Sequence, residues 1–143
     1  MDMQRSCGMM IKQLHTTLEK NANNTLKQCD LTVAQVSVLM ALHQASDRQL
    51  PLKQLEKNLH LARSTTAGLA MRLEQKGLVE YREDTQDHRV KILSITQKGE
   101  DCCKTATEKM NETEEQLLSG LTDTEREIFL TLLNKVVHSL DEQ

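Results

Sequence analysis

Arg63-Ser64-Thr65-Thr66-Ala67-Gly68-Leu69-Ala70-Met71-Arg72-Leu73-Glu74-Gln75-Lys76-Gly77-Leu78-Val79-Glu80-Tyr81-Arg82 changes its period part-way along. Up to Gln75, Thr66, Leu69, Ala70 and Leu73 recur at three- and four-residue steps, which predicts a helix with that face inward. Ser64, Thr65, Ala67, Gly68, Met71, Arg72 and Gln75 are left outward. The hydroxyls of Ser64, Thr65 and Thr66 can satisfy the free amides of its first turn, and Gly77 ends it as the glycine just past the helix. From Val79 the period is two. It is two again in Val90-Lys91-Ile92-Leu93-Ser94-Ile95, across the polar stretch Glu83 to Arg89, so the pair reads as a β-hairpin.

Upstream, Leu52, Leu55 and Leu59 face one way on a short helix, which makes a helix-turn-helix candidate with the helix that follows. Asp47 through Pro51 reads as a connector, because Pro51 lacks an N–H and restricts the residue before it. Before it, Leu31-Thr32-Val33-Ala34-Gln35-Val36 holds a capping box, Thr32 with Gln35, and a hydrophobic staple, Leu31 with Val36. The helix it opens turns Val33, Val36, Leu39 and Met40 inward. Met3, Cys7, Met10, Ile11, Leu14 and Leu18 place a first helix from Met3 to about Leu26.

Downstream, Thr96 caps a long helix to about Leu118, which Gly120 breaks. A second box, Thr122 with Glu125, opens a last helix whose stripe is Phe129, Leu132, Leu133, Val136, Val137 and Leu140. The expected fold is mainly α with a small β-hairpin. The apolar stripes of the end helices lie outside a middle that forms its own core, and they are most simply buried together and against a second copy in a symmetric dimer.

At 143 residues the chain fits one domain, against roughly 100–200 per domain. Tyr81 and Phe129 are its only aromatics, which argues against base-stacking platforms and aromatic cages. The longest apolar run, Val38-Leu39-Met40-Ala41-Leu42, is far short of the ~20 residues a membrane span needs, and no secretion signal opens the chain. A cytoplasmic protein without a membrane partner is expected. Cys7, Cys29, Cys102 and Cys103 lack paired CxxC spacing, so reduced thiols are the default. Net charge is −3, but Arg48 to Lys98 carries 10 Lys and Arg against 6 Asp and Glu, and the remainder is acidic. A basic middle between acidic ends suits one lobe that meets a polyanion.

A helix-turn-helix followed by a basic two-stranded wing reads as duplex-DNA recognition, since a helix fits the major groove and a narrow arm with one Arg the minor groove. Leu31-Thr32-Val33-Ala34-Gln35, Arg63-Ser64-Thr65-Thr66, Arg72-Leu73-Glu74-Gln75-Lys76-Gly77-Leu78-Val79, Asp87-His88-Arg89 and Leu93-Ser94-Ile95-Thr96-Gln97-Lys98-Gly99 together resemble the MarR family of bacterial transcription regulators. The resemblance spans nearly the whole chain and is most specific in the wing.

It implies a winged helix-turn-helix with N- and C-terminal dimerisation helices: one MarR-like domain over 1–143, with a DNA-binding lobe at 30–98 and dimerisation helices at 1–29 and 99–143. It implies a homodimer on a pseudo-palindromic operator in double-stranded DNA, acting as a repressor that a small effector releases. The scarcity of aromatics points to an apolar effector. The expected DNA-binding residues are Arg63, Ser64, Thr65, Thr66, Ala67, Gly68, Met71, Arg72, Arg82, Asp87, His88, Arg89 and Lys91, with Asp87 orienting Arg89 and Arg89 entering the minor groove.

The chain departs from the family pattern at Tyr81 and Arg82, where Arg is usual at the strand start, at Thr85, where Pro is common, and at His88 in place of a second Arg. Ala67, Gly68 and Met71 offer no polar base contacts, so readout rests on thymine methyls, Arg72 and DNA shape.

Each assignment has a plainer rival. Asp87 and Arg89 could be an ordinary surface ion pair, and Lys53, Lys57, Lys76 and Lys91 solvated charges, about half of them on phosphate. Cys7 is a candidate redox thiol or a small buried hydrophobe, and Cys102 and Cys103 are packing residues. Zinc-responsive relatives carry Glu-His where this chain has Val36-Ser37. A site from His15, Cys29 and His43 is the remaining metal alternative, and no metal and no cofactor is expected. No P-loop, GxSxG or nucleophile-base pair suggests catalysis. The rivals are a thiol- or metal-responsive regulator on the same frame and a winged-helix module that binds protein.

Overall fold

Thr32 Oγ1 accepts from the Gln35 N–H at 3.2 Å, and Gln35 Oε1 accepts from the Thr32 N–H at 3.2 Å, so the box read from sequence closes the helix start. The structure, a computed structural model, describes residues 6–141. Its elements are α1 Cys7–Leu26, a 3-10 turn Lys27–Cys29, α2 Val33–Gln44, β1 Gln49–Pro51, α3 Leu52–Leu59, α4 Arg63–Gln75, β2 Val79–Glu83, β3 Lys91–Ile95, α5 Gln97–Leu117 and α6 Asp123–Asp141. The expected start of the first helix at Met3 lies outside the described residues. Ser6 caps α1, accepting from the Met9 N–H.

The fold class is as expected, mainly helical with a small antiparallel sheet, but the sheet has three strands in the order β1-β3-β2. The stretch read as a connector supplies the third. Gln49, Leu50 and Pro51 lie opposite Ser94, Leu93 and Ile92. Pro51 is tolerated because β1 is an edge strand, where one missing N–H breaks no interior ladder. The hairpin pairs Val79 with Ile95 and Glu83 with Lys91.

Leu26, Val36, Leu39, Leu42, Leu55, Leu73 and Leu93 are fully buried in one core that joins α2, α3, α4 and the sheet. Cys103 and Ala106 of α5 extend it. Gly77 adopts φ +74, and the Leu78 N–H reaches back to the Leu73 carbonyl at 3.0 Å, so a glycine there avoids the strain a side chain would meet.

Helix α1 packs on α5, far apart in sequence. Thr25 and Thr113 hydroxyls lie 3.3 Å apart, and Lys109 Nζ donates to Gln28 Oε1 at 2.9 Å. The outer faces carry apolar groups in the open: Met9, Met10, Ile11 and Leu14 on α1, and Leu132, Leu133, Val136, Val137 and Leu140 on α6. No helix among the described residues is long and apolar enough to cross a membrane.

Candidate nucleic-acid interface

Helix α4 buries Thr66, Leu69, Ala70 and Leu73, which turns Ser64, Thr65, Ala67, Met71 and Arg72 outward and leaves Gly68 half-buried. Met71 is 61% exposed, a large apolar side chain with no cover on the outermost row of the helix. Thr66 leaves the set of expected DNA contacts. Its side chain is buried because the helical period turns it inward, and its hydroxyl donates back to the Ala62 carbonyl at 3.0 Å. The expected hydroxyl capping of this helix is also corrected: the N-cap is Ala62, with no side-chain cap. The hydroxyls of Ser64 and Thr65 remain exposed at the first turn.

The wing presents Arg89 at its tip with a 91% exposed side chain. Asp87 Oδ1 accepts from both the main-chain N–H and Nε of Arg89, each at 3.1 Å. These bonds hold the Asp87 carboxyl below its ordinary range, the side-chain bond most and the main-chain bond next. Lys91 Nζ donates to Glu83 Oε1 at 2.5 Å across the hairpin, and His88 Nδ1 lies 3.4 Å from Glu83 Oε2. The Lys91 bond and charge draw the Glu83 carboxyl down. Arg82 Nη2 donates to Gln49 Oε1 at 2.8 Å, crossing β3 to the strand missed in the sequence. Arg82 and Lys91 are therefore exposed or half-exposed cations already held within the sheet.

A cleft of ≈920 Å³ separates α3, the start of α4 and the wing, and brings together Lys53, Lys57, Arg63, Arg89 and Lys91 with Glu56 and Asp87. Among the described residues, Lys53, Lys57, Arg63 and Arg72 have no carboxylate within 4.0 Å. Such a surface can neutralise phosphates while an exposed helix and an Arg-tipped arm reach the two grooves. Lys76 is different from the other three lysines. It is turned inward, its Nζ 3.2 Å from Gln35 Oε1.

A second cleft, ≈530 Å³, lies between α2 and α5. The apolar effector expected from the sequence would need a lining of aliphatic, Met and thiol groups. Met40 and Cys103 fit that, but His43, Glu100, Asp101, Lys104 and Glu108 make the rim of this cleft charged. His43 Nδ1 lies 2.5 Å from Glu100 Oε2, and Arg48 Nε 3.6 Å from Glu100 Oε1.

Cys7 is exposed, Cys29 and Cys102 half-buried and Cys103 buried, all as free thiols. In the single chain Cys7 lies in the open, on the α1 stripe that also carries Met10, Ile11 and Leu14. Burial pushes the Cys103 thiol up. Among the described residues no three His, Cys, Asp or Glu groups assemble into a metal cluster, and His15 instead lies 3.0 Å from Glu19.

Residues 31–91 match the family model described as MarR family. The apo form of wild-type MarR from E. coli superposes with a TM-score of 0.82 at 25% identity, over 92% of this chain and 96% of that one. A mutant of the same E. coli protein complexed with operator DNA gives 0.79 at 25% identity, over 90% and 91%. Bordetella bronchiseptica BpsR, whose DNA binding is described as regulated by 6-hydroxynicotinic acid, gives 0.83 at 21% identity, over 96% of each chain, a likeness of fold.

Proposed function

We propose that this chain, whose residues 31–91 match the MarR family model, is a homodimeric regulator of that family that binds a pseudo-palindromic operator in double-stranded DNA and represses transcription from it. The observation that carries the reading is the Arg89 tip, fixed by Asp87, standing across one basic cleft from α3 and from Arg63 at the start of α4. In this reading α4 enters the major groove through Ser64, Thr65, Ala67, Gly68, Met71 and Arg72, and Arg89 enters the minor groove. Arg63, Arg82, His88 and Lys91 flank the phosphates. The operator complex of the E. coli protein, at 25% identity, supports it by likeness.

Residues 30–98 form the DNA-binding lobe in this proposal, and 1–29 with 99–143 the dimerisation helices. The exposed apolar stripes of α1 and α6 support that division. A small effector, met in the cytoplasm, binds between the helices and the lobe and releases DNA. The lining between α2 and α5 suits a molecule with a polar group on an apolar body better than a wholly apolar one.

The test is fluorescence anisotropy of the purified protein with duplex DNA from upstream of its own gene and with duplexes selected from a random pool, at two salt concentrations. Tight, salt-dependent and sequence-dependent binding that Arg89→Ala weakens is the expected result. Equal weak binding to all duplexes would turn the reading towards a winged-helix module that binds protein.

A further inference from the structure

Lys76 stands at the C-terminal end of α4, three residues after Leu73 and seven after Leu69, and so on the inward side of the helix. Its Nζ donates to the Asp30 main-chain carbonyl and to Gln35 Oε1, the latter at 3.2 Å, and lies 3.7 Å from Asp30 Oδ2. The side chain is only 29% exposed. Asp30 ends the 3-10 turn after α1 in the left-handed conformation, φ 56, and Gln35 is buried. The oxygen of Gln35 that closes the α2 cap therefore also receives Lys76.

The main chain of the same residue is held from the other side. Lys98 Nζ of α5 donates to the Lys76 carbonyl at 3.0 Å, and Thr96 Oγ1 donates to the Gly77 carbonyl at 2.7 Å. The end of α4 is thus bonded to both places where the chain passes between the lobe and the long helices: the α1–α2 junction and the first turn of α5. A lysine committed to three oxygens behind its helix is unlike the open cations of the basic cleft.

We propose that Lys76 is a positioning residue for operator binding: without touching DNA, it fixes the angle at which α4 leaves the dimerisation helices, and with it the distance between the two recognition helices of a dimer. This rests on the homodimeric DNA-binding reading above. In a dimer bound to two half-sites, a small change of that angle in each lobe adds across the pair, whereas one half-site bound by one lobe is indifferent to it.

The experiment uses the full chain and a duplex that the wild-type protein selects from a random pool. Affinity is measured for that duplex, for one with a single base pair inserted at its centre, and for one with a half-site scrambled, each over a series of salt concentrations. Lys76→Met is expected to lower affinity for the intact duplex tenfold or more and to erase its advantage over the inserted duplex. It should leave scrambled-duplex affinity within about twofold and the salt slope unchanged. Lys76→Arg should restore most of the spacing preference, and Lys76→Gln, polar but too short to reach, should behave as Met does and serves if Lys76→Met does not fold.

A salt slope lower by about one unit per half-site with spacing preference kept would make Lys76 a phosphate contact and overturn the proposal. A parallel loss on all three duplexes with a lower melting temperature would make it merely structural, which also overturns it. Failure of the wild-type protein to select any duplex would instead remove the DNA-binding reading itself.

Discussion

Arg89 binds one oxygen of Asp87 twice, through its main-chain N–H and through Nε, each at 3.1 Å, while Nη2 lies 3.4 Å from the other oxygen. The carboxylate thereby fixes the turn and the direction of the guanidinium at once. Arg89→Ala should weaken operator binding by about tenfold or more, and lower the salt slope by about one unit per half-site where the guanidinium also neutralises a phosphate. Asp87→Ala keeps the cation but frees it, so affinity should fall several-fold with little change of slope. Anisotropy titrations of both variants over a salt series make the comparison.

The same pair sets a pH window. Asp87 is held below its ordinary value, so the stabilisation by Arg89 is present above the unfolded carboxyl's pKa, about 4, and is lost only as pH falls through the lower folded value. Operator affinity should therefore show no step from Asp87 between pH 5 and pH 8, to take a range well above about 4. Carboxyl NMR should give Asp87 a midpoint below the usual Asp range, moving back towards it in Arg89→Ala.

Two glycines should respond in opposite directions to alanine. A Cβ at Gly99 would come 2.1 Å from the Leu78 carbonyl oxygen and 2.7 Å from Ile95, and backbone cannot yield cheaply. Gly99→Ala should cost at least about 1–3 kcal/mol. At Gly68 nothing lies within 4 Å, so Gly68→Ala should stabilise the fold by about 0.5–1 kcal/mol through helix propensity. Urea unfolding of the two variants reads both signs.

Cys103 should be the last thiol to react. It is buried, and burial raises its pKa, so the thiolate that attacks an alkylating reagent is scarce at neutral pH. Iodoacetamide labelling followed by mass spectrometry should modify exposed Cys7 well before Cys103, and the gap should vanish in denaturant.

A charge on the α6 stripe tests the assembly. Val136 and Leu132 are each 55% exposed on one face, and Val136→Glu or Leu132→Glu should leave the helical content intact while shifting the species in light scattering from dimer to monomer. Operator affinity should fall with it, since each half-site then binds alone.

Most of the helical frame was legible because its signals are local. Thr32 with Gln35, Thr122 with Glu125, Thr96 and Gly77 each mark an end through bonds to residues three to five positions away. β1 was missed because its three residues carry no alternation, and its partner, β3, begins forty residues later. The role of Asp87 in orienting Arg89 is what the family resemblance implies; a spacing of two alone leaves an ordinary surface ion pair equally open. The placement of Lys76 could not be anticipated, since its partners Asp30 and Gln35 come together only after α1, α2 and α4 have packed. Thr66 was misplaced for a different reason: its inward period was visible, but hydroxyl chemistry at a helix start drew it into the DNA-facing set.

The packing of α1 on α5 has a consequence for synthesis. Residues 27–96 lie between the two helices, and at about 5–20 residues per second that stretch takes on the order of ten seconds to translate. Until α5 is made, α1 lacks the helix it packs on, and Ala22 and Leu26, buried in the finished fold, are without their full cover. The nascent protein is therefore most exposed to aggregation and to chaperone capture at its first helix, before any DNA or second subunit is in reach.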